Sequence, residues 1–381
     1  MHQDDKRHSA LQQLQRIESY LAADPDNRLL AATVVDHALA AGMPERAVQH
    51  GEAALARHPD DPVIANRLGN ALLAAGRHAQ AATLFDTLLA HHPDPGLAYG
   101  AAFACYAQGL HTQALERLQP YAAHPGLPPQ GATLLVRLLH QCGAPDQALA
   151  LGRDQRARCG DLPELLAATG LAALDANDLD QAQALADAAL DGPARPPEAL
   201  VTAGSLALAR MDAAAADVLL SEAVAARPQE GRAWSALGMA SLLQRDLAQA
   251  AIRLDTALRL MPGHIGTWHS LGWCRVFGGD YAGARAAFGQ ALELDRNFGE
   301  SHGGMAVALA LGGDRAGAEQ AQARALALDP HSLAARYAQM VLSGQTDDPE
   351  RFRQIARRLM QSRTGAFGRS LAELMDTYQG R

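Results

Sequence analysis

Apolar residues recur at helical spacing along nearly the whole chain, in paired stripes. Within residues 231–264, Trp234, Leu237, Gly238 and Leu242 lie on one stripe. Leu247, Ala250, Ala251, Leu254, Ala257 and Leu258 lie on a second, and Gln244-Arg245-Asp246 forms a short polar turn between them. A period near 3.6 residues predicts two amphipathic helices joined by a tight turn. The same pair of stripes returns down the chain, so the pattern is one of repeated helix pairs.

The period can be read from single positions. Alanine occupies positions 47, 81, 114, 148, 182, 216, 250, 284 and 318, each 34 residues after the last except for one step of 33. Asp178, Asp212, Asp246, Asp280 and Asp314 stand four residues ahead of five of these alanines. Aspartate at that point can cap a helix by accepting backbone N–H bonds. Pro59, Pro93, Pro228, Pro262 and Pro330 stand twelve residues after the alanine, where proline ends one unit and opens the next. Gly69, Gly170, Gly204, Gly238 and Gly272 recur on the first helix. An exposed mid-helix glycine costs about 1 kcal/mol, so its recurrence marks a close approach of two helices. The small alanine fits the same crossing, because a larger side chain would push the helices apart.

These markers resemble the tetratricopeptide repeat family. The pattern W-x2-L-G, A-x3-F, x2-A, x4-P is met by Trp234, Leu237, Gly238, Ala250, Leu254, Ala257 and Pro262. Trp268, Leu271, Gly272, Ala284, Phe288 and Ala291 meet it again, with Arg296 in place of the proline. The spacing defines nine units: 28–61, 62–94, 95–128, 129–162, 163–196, 197–230, 231–264, 265–298 and 299–332. The resemblance implies an all-α fold, a right-handed α-α superhelix with capping helices at both ends. Residues 1–27 read as a polar tail and a capping helix, with Leu11, Leu14, Ile17 and Leu21 on one face of 9–23. Residues 333–381 read as C-terminal capping helices, at 333–343, 349–362 and 368–378, with a basic segment. Solenoids need polar-faced ends to stay soluble.

In this family the first helix of each unit lines a concave groove, and positions 2, 5, 9, 12 and 13 of the unit point into it. By that resemblance the partner-binding candidates are Asn66 and Asn70 in the second unit, Tyr99 and Phe103 in the third, and Arg137 and His140 in the fourth. The later units add Arg232, Met239, Leu242, His269, Trp273, Val276 and Phe277. Two clusters stand out: an apolar patch of Met239, Leu242, Trp273, Val276 and Phe277, and an aromatic stripe of Tyr99, Phe103 and Tyr106. Trp268 fills the family's structural tryptophan position. Trp273 lies about 140° away from it around the helix, which leaves Trp273 for the groove. The chaperone-type clamp for an EEVD tail is not expected, since Asn66, Asn70, Tyr99, Gly100, Gln130 and Leu134 leave its cationic positions empty.

Composition agrees with helix and narrows the function. Alanine supplies 82 of 381 residues and aromatic residues 4%, which favours helix and disfavours an all-β fold. The formal net charge is -8, a poor balance for wide contact with nucleic acid. Lys6 is the one lysine among 33 basic residues, a skew that fits a GC-rich genome. Residues 351–381 hold seven arginines and two acids, a net of +5, with Arg351, Arg353, Arg357, Arg358 and Arg363 clustered. Such a segment suits a solvated cap, an acidic partner or the chain's own acidic surface.

No apolar run approaches the ~18 residues that cross a bilayer, and Met1–Ser9 is polar, so a cytoplasmic protein without membrane insertion is expected. Cys105, Cys142, Cys159 and Cys274 show no CxxC pairing, which predicts neither zinc nor a disulfide framework. No GxSxG, P-loop, HExxH or GxGxxG occurs, and the fifteen histidines show no ligand spacing. No cofactor and no enzymatic activity are therefore expected. The resulting expectation is a scaffold, adaptor or chaperone that holds a peptide or helix of another protein. Its setting by family analogy is the assembly of a bacterial secretion system, pilus or exopolysaccharide machine. Alternatives are the substrate-recognition arm of a separate enzyme, such as a glycosyltransferase, and a homo-oligomeric scaffold.

Overall fold

Glycine and aspartate set the turn inside each helix pair of the computed structural model, which describes residues 2–346 and position 354. Backbone φ is positive at Gly42, Gly76, Gly109, Gly143, Asn177, Met211, Arg245, Gly279 and Gly313. That left-handed residue closes the first helix, and the second opens directly after it. At Asp178, Asp212, Asp246, Asp280 and Asp314 the carboxylate accepts the backbone N–H three residues on, at 2.8–3.2 Å. The aspartate marker is thus a set of helix N-caps. Asp61 and Asp94 cap the opposite helices of their pairs, just ahead of Pro62 and Pro95.

The described residues divide into two compact units, with the boundary inside one helix, after Ala172. The first unit begins with α1 (His2–Ala23), followed by α2 (Arg28–Ala40), α3 (Pro44–Arg57), α4 (Pro62–Ala74) and α5 (His78–His91). It continues through α6 (Pro95–Tyr106), α7 (His111–Leu118), α8 (Pro129–Gln141), α9 (Pro145–Cys159) and most of α10 (Pro163–Asp175). The second unit holds α11 (Leu179–Leu190), α12 (Pro197–Ala209), α13 (Ala213–Ala226), α14 (Gly231–Leu243) and α15 (Leu247–Leu260). It ends with α16 (Ile265–Phe277), α17 (Tyr281–Leu294), α18 (Gly299–Leu311), α19 (Arg315–Leu328) and α20 (Leu333–Leu342). No strand occurs among the described residues. The fold is an all-α solenoid of helix pairs.

Within each unit every helix packs on its sequence neighbour, and first helices also touch the first helix of the next pair, as α2 does α4 and α16 does α18. Successive second helices approach one another more sparsely. The first helices therefore form the inner, more closely spaced layer of each unit. α7 is short because Pro120 follows it, and a three-residue 3-10 turn, Gln119–Tyr121, completes that pair. α1 extends further toward the N-terminus than the 9–23 pattern required. Leu14 is fully buried and Leu11, Ile17 and Leu21 pack on the same core. Glu18 fixes α1 to α3 by bonds to Arg46 and His50 at 2.5–2.7 Å.

The repeating alanines are fully buried, and the glycines make room for the large side chain that stands four residues after each alanine. A Cβ on Gly69 or Gly100 would lie within 3 Å of the Phe85 ring, and one on Gly272 or Gly304 would meet Phe288 in the same way. Each phenylalanine is thus held between the glycine of its own pair and a glycine of the next. Gly238 yields in the same manner to Leu254, and Gly204 to Leu220. The capping segments expected at 349–362 and 368–378 lie outside the described residues.

Candidate functional site

The inner layer of the first unit opens into a recess of about 470 Å³ between α6, α8 and the start of α10. Tyr99, Phe103 and Tyr106 fall on one face of α6 because they stand four and three residues apart. Opposite them lie Gln130, Thr133, Leu134 and Arg137 of α8, with Leu162 and Glu164 closing the end. The rings of Tyr99 and Phe103 are 6.1 Å apart. All three aromatic residues are half-buried, so their rings are only partly covered by their own chain. Burial pushes the Tyr99 phenol above its ordinary value, and the Arg137 charge pulls it back. The Thr133 hydroxyl donates to the Pro129 carbonyl at 3.1 Å, which spends it inside α8.

In the second unit the inner layer is built by two polar bridges in the same register. Ser235 Oγ lies 2.7 Å from Thr267 Oγ1, joining α14 to α16. His269 Nδ1 lies 3.2 Å from Ser301 Oγ, joining α16 to α18. Thr267 and Ser301 are fully buried. Thr267 N–H also donates to His264 Nδ1 at 3.1 Å, so His264 caps α16. Burial first, then the nearby Arg232, lowers the pKa of His264, while Asp175 opposes the shift.

The aromatic cluster surrounds His269. Its ring centroid lies 5.5 Å from Phe288, 5.8 Å from Phe298 and 6.3 Å from Trp273. The Trp273 indole N–H donates to His269 Nε2 at 3.0 Å. Burial drives the His269 pKa from 6.5 down to about 4. Trp273 is half-buried, stacked at 5.7 Å on Phe277 and edge-on to Phe288 at 6.0 Å. Phe277 is 63% exposed. Trp268 instead lies on the other side of α16, its indole donating to the Pro262 carbonyl at 2.8 Å. Trp234 repeats that bond to the Pro228 carbonyl at 2.9 Å.

The candidates from the sequence therefore separate. Tyr99, Phe103 and Arg137 come together in the recess, with Tyr106. His140 follows on α8, half-buried, and is not among the residues that line the recess. Asn66 and Asn70 lie one turn apart on α4, their side chains 3.5 Å from each other. Trp273 and Phe277 stack, and Met239, 38% exposed, projects from α14. Leu242 and Trp268 both pack against the core shared by α15, α16 and α17. Val276 corrects the expectation: it is 6% exposed and sits in the core with Ala284, Phe288 and Ala306, because its place on α16 faces the next helix pair. His269 is spent on the Trp273 and Ser301 bonds. Arg232 grips Asp175 with both terminal nitrogens, an ion pair that reaches from α14 back to α10.

Sequence reading missed Leu162 and Glu164, which come from the start of the following pair, and Asp175, which lies two pairs away from Arg232. It also passed over the polar bridges. Their signal was present as Thr267 and Ser301, 34 residues apart at the third position of successive first helices.

Family models described as tetratricopeptide repeat match residues 38–104 and 271–332. With the helix pairs, turns and glycine crossings above, the chain is a tetratricopeptide-repeat protein. Such proteins generally mediate protein–protein interactions, and the fold is typically a non-catalytic scaffold. No curated relative matches the chain by sequence. Among solved structures, the APC/C hetero-tetramer Cut9–Hcn1 superposes with a TM-score of 0.60 at 14% identity over 81% of this chain. This chain spans 62% of the length of that one. A monomeric mutant of IFIT1 with Gppp-AAAA gives a TM-score of 0.54 at 12% identity, covering 93% of this chain and 89% of that one. The pilF protein of Pseudomonas aeruginosa gives 0.46 at 20% identity, covering 55% and 96%. The first two likenesses are of fold. Among the described residues no helix is long and apolar enough to cross a membrane. No group of three metal-ligating side chains occurs there either.

Proposed function

We propose that the protein is a scaffold or adaptor that holds a segment of another protein on the inner helices of its repeats, with the recess of the first unit as its main site. The observation that carries this reading is the row of half-buried rings at Tyr99, Phe103 and Tyr106 facing Arg137 across about 470 Å³. That volume accommodates two or three apolar side chains, the size of an anchor presented by one turn of a peptide or helix. Aromatic rings bind with little loss of side-chain freedom, and aromatic residues and arginine dominate interface energetics. A role in assembling a multi-protein machine, such as a secretion, pilus or exopolysaccharide apparatus, is the setting the family analogy supports.

Peptides selected from a displayed random library against the full chain test this. Selected peptides should be rich in large apolar residues and should slow amide exchange in 99–106 and 129–137. Protection confined to other segments, or no selection above background, rejects the recess as the site.

A further inference from the structure

The outer helix α13 is apolar on both faces. Its inward side buries Ala216, Leu220 and Ala223, and the opposite side of such a helix is expected to be charged. Asp217 and Glu222 are the charged residues of α13, and both are engaged within the chain. Asp217 accepts from Arg253 at 2.7 Å, and Glu222 is paired with Arg195. Between them Val218 points outward, 68% exposed. Ile252 of α15 stands 34 residues later in the same register and is 58% exposed. Arg253 follows Ile252 and Asp217 precedes Val218, so the bond between the charged groups sets the two apolar side chains side by side.

The patch continues along the outer layer of the second unit. Ala286 of α17 holds the same register, and Ala214, Ala248 and Ala282 stand one turn before the three; all four are exposed. Asp180 of α11 and Gln320 of α19, both exposed, end the patch on either side. An apolar patch with a polar rim marks a protein contact. Two charges on this side make no hydrogen bond or ion pair among the described residues. Asp255 lies one turn beyond Ile252, and Arg285 lies beside Ala286, lining the outer groove between α17 and α19 with Met305 and Gln320. Both are exposed, and they are opposite in sign on successive outer helices.

We propose that a second copy of the chain docks here, with α13, α15 and α17 of one copy against those of the other. In a two-fold contact residue i of one copy meets residue j of the other, and the reverse. Asp255 and Arg285 suit that rule, each meeting its opposite on the other copy, while Val218 and Ile252 fill the centre. Residues 173–346 hold 19 acidic and 13 basic side chains, so two copies repel each other over most approaches, and this near-neutral face offers one without that cost. Three rows of side chains on three helices about 10 Å apart present about 500 Å² per copy. The total of roughly 1,000 Å² is at the lower limit for a specific interface, so the pairing is weak and reversible. It asks nothing of the recess in the first unit, and either can fail alone.

Sedimentation of the full chain over a wide range of concentration tests this. The mass should rise from monomer toward dimer with concentration and fall again on dilution. Val218→Asp combined with Ile252→Asp should raise the dissociation constant about tenfold or more, because the pairing would bury unpaired carboxylates. Both positions are exposed in the single copy, so helix content and melting temperature should stay at native values. Asp255→Arg and Arg285→Asp should each weaken the pairing, and the two together should restore it. A native chain that stays monomeric at every concentration overturns the proposal, as does a dimer indifferent to the changes at Val218 and Ile252. Single reversals without effect, or a double reversal that does not restore pairing, overturn the two-fold arrangement.

Discussion

The indole N–H of Trp273 donates to Nε2 of His269 across 3.0 Å, and this one bond fixes the protonation state of the ring. Indole N–H is a donor only, so Nε2 must carry its lone pair. The ring hydrogen then sits on Nδ1 and points to Ser301 Oγ. A second proton would set two donors against each other inside an aromatic cage. The pKa falls from 6.5 to about 4 because burial penalises the charged ring. Between those values the unfolded chain binds a proton that the folded chain refuses. His269 therefore contributes full stability above pH 6.5, and that contribution is lost as pH falls toward 4. The loss is about 3 kcal/mol at most. Denaturant melts of the native chain and of His269→Gln at pH 7.5 and 4.5 measure it by difference. Equal losses in both would show that His269 is not the titrating group.

Glycine substitutions should split by sign within a single helix pair. A Cβ on Gly272 would lie within 3 Å of the Phe288 ring, which Gly304 confines from the other side. Gly272→Ala should overpack and cost about 1–3 kcal/mol. Gly289, in the middle of α17, has open space where its Cβ would be. Gly289→Ala should stabilise by about 1 kcal/mol through helix propensity. Ala250 is fully buried in the preceding pair, so Ala250→Leu should also overpack, at a cost of about 1–3 kcal/mol. Thermal melts that rank these variants in any other order would mean that the helix crossing is misplaced.

The contrast shows what the sequence could reveal. Periods of 34 residues exposed the helix pairs, their caps and the glycine crossings, because those features depend on local spacing. The alanine and glycine were read as meeting at one crossing, yet the glycine yields to Phe288 or Leu254, four residues past the alanine. The candidate site was legible only in part. Tyr99, Phe103 and Arg137 were visible from their repeat positions. Leu162, Glu164 and Asp175 were not, since their contacts cross from one pair to another. Val276 was misassigned because a position that faces the groove at one pair packs under the next pair when small residues such as Ala306 let the helices close.

The turn residues give a third prediction. Met211 and Arg245 hold φ of 60° and 62°, where Gly279 and Gly313 serve the same turn in later pairs. A side chain at this point costs about 1–2 kcal/mol of backbone strain, part of which glycine returns through its larger unfolded-state entropy. Met211→Gly and Arg245→Gly should each stabilise by roughly 0.5–1 kcal/mol. Removing the adjacent cap with Asp246→Ala should cost about 1 kcal/mol. If Arg245→Gly lowers the melting temperature, the arginine side chain must contribute more by its contacts than it loses in strain.

Phe103 and Trp273 separate binding from folding. Trp273 is bonded to His269, stacked on Phe277 and edge-on to Phe288. Trp273→Ala removes all three contacts and leaves a void beside a buried ring, at a cost of about 3 kcal/mol. That penalty falls on folding, so a weakened interaction in this variant would not by itself locate a site. Phe103 lines the recess, half-buried between Tyr99 and Tyr106. Its truncation should cost the fold less than Trp273→Ala does, since part of the ring already faces solvent. An aromatic anchor at the centre of an interface is worth more than about 2 kcal/mol, which is roughly 30-fold in affinity. For a peptide selected against the native chain, Phe103→Ala should therefore raise the Kd about 30-fold while the melting temperature shifts less than in Trp273→Ala. Calorimetric titration and thermal melts on the same preparations give both numbers. A Kd unchanged by Phe103→Ala removes the recess from the binding site, whatever the stability of the variant.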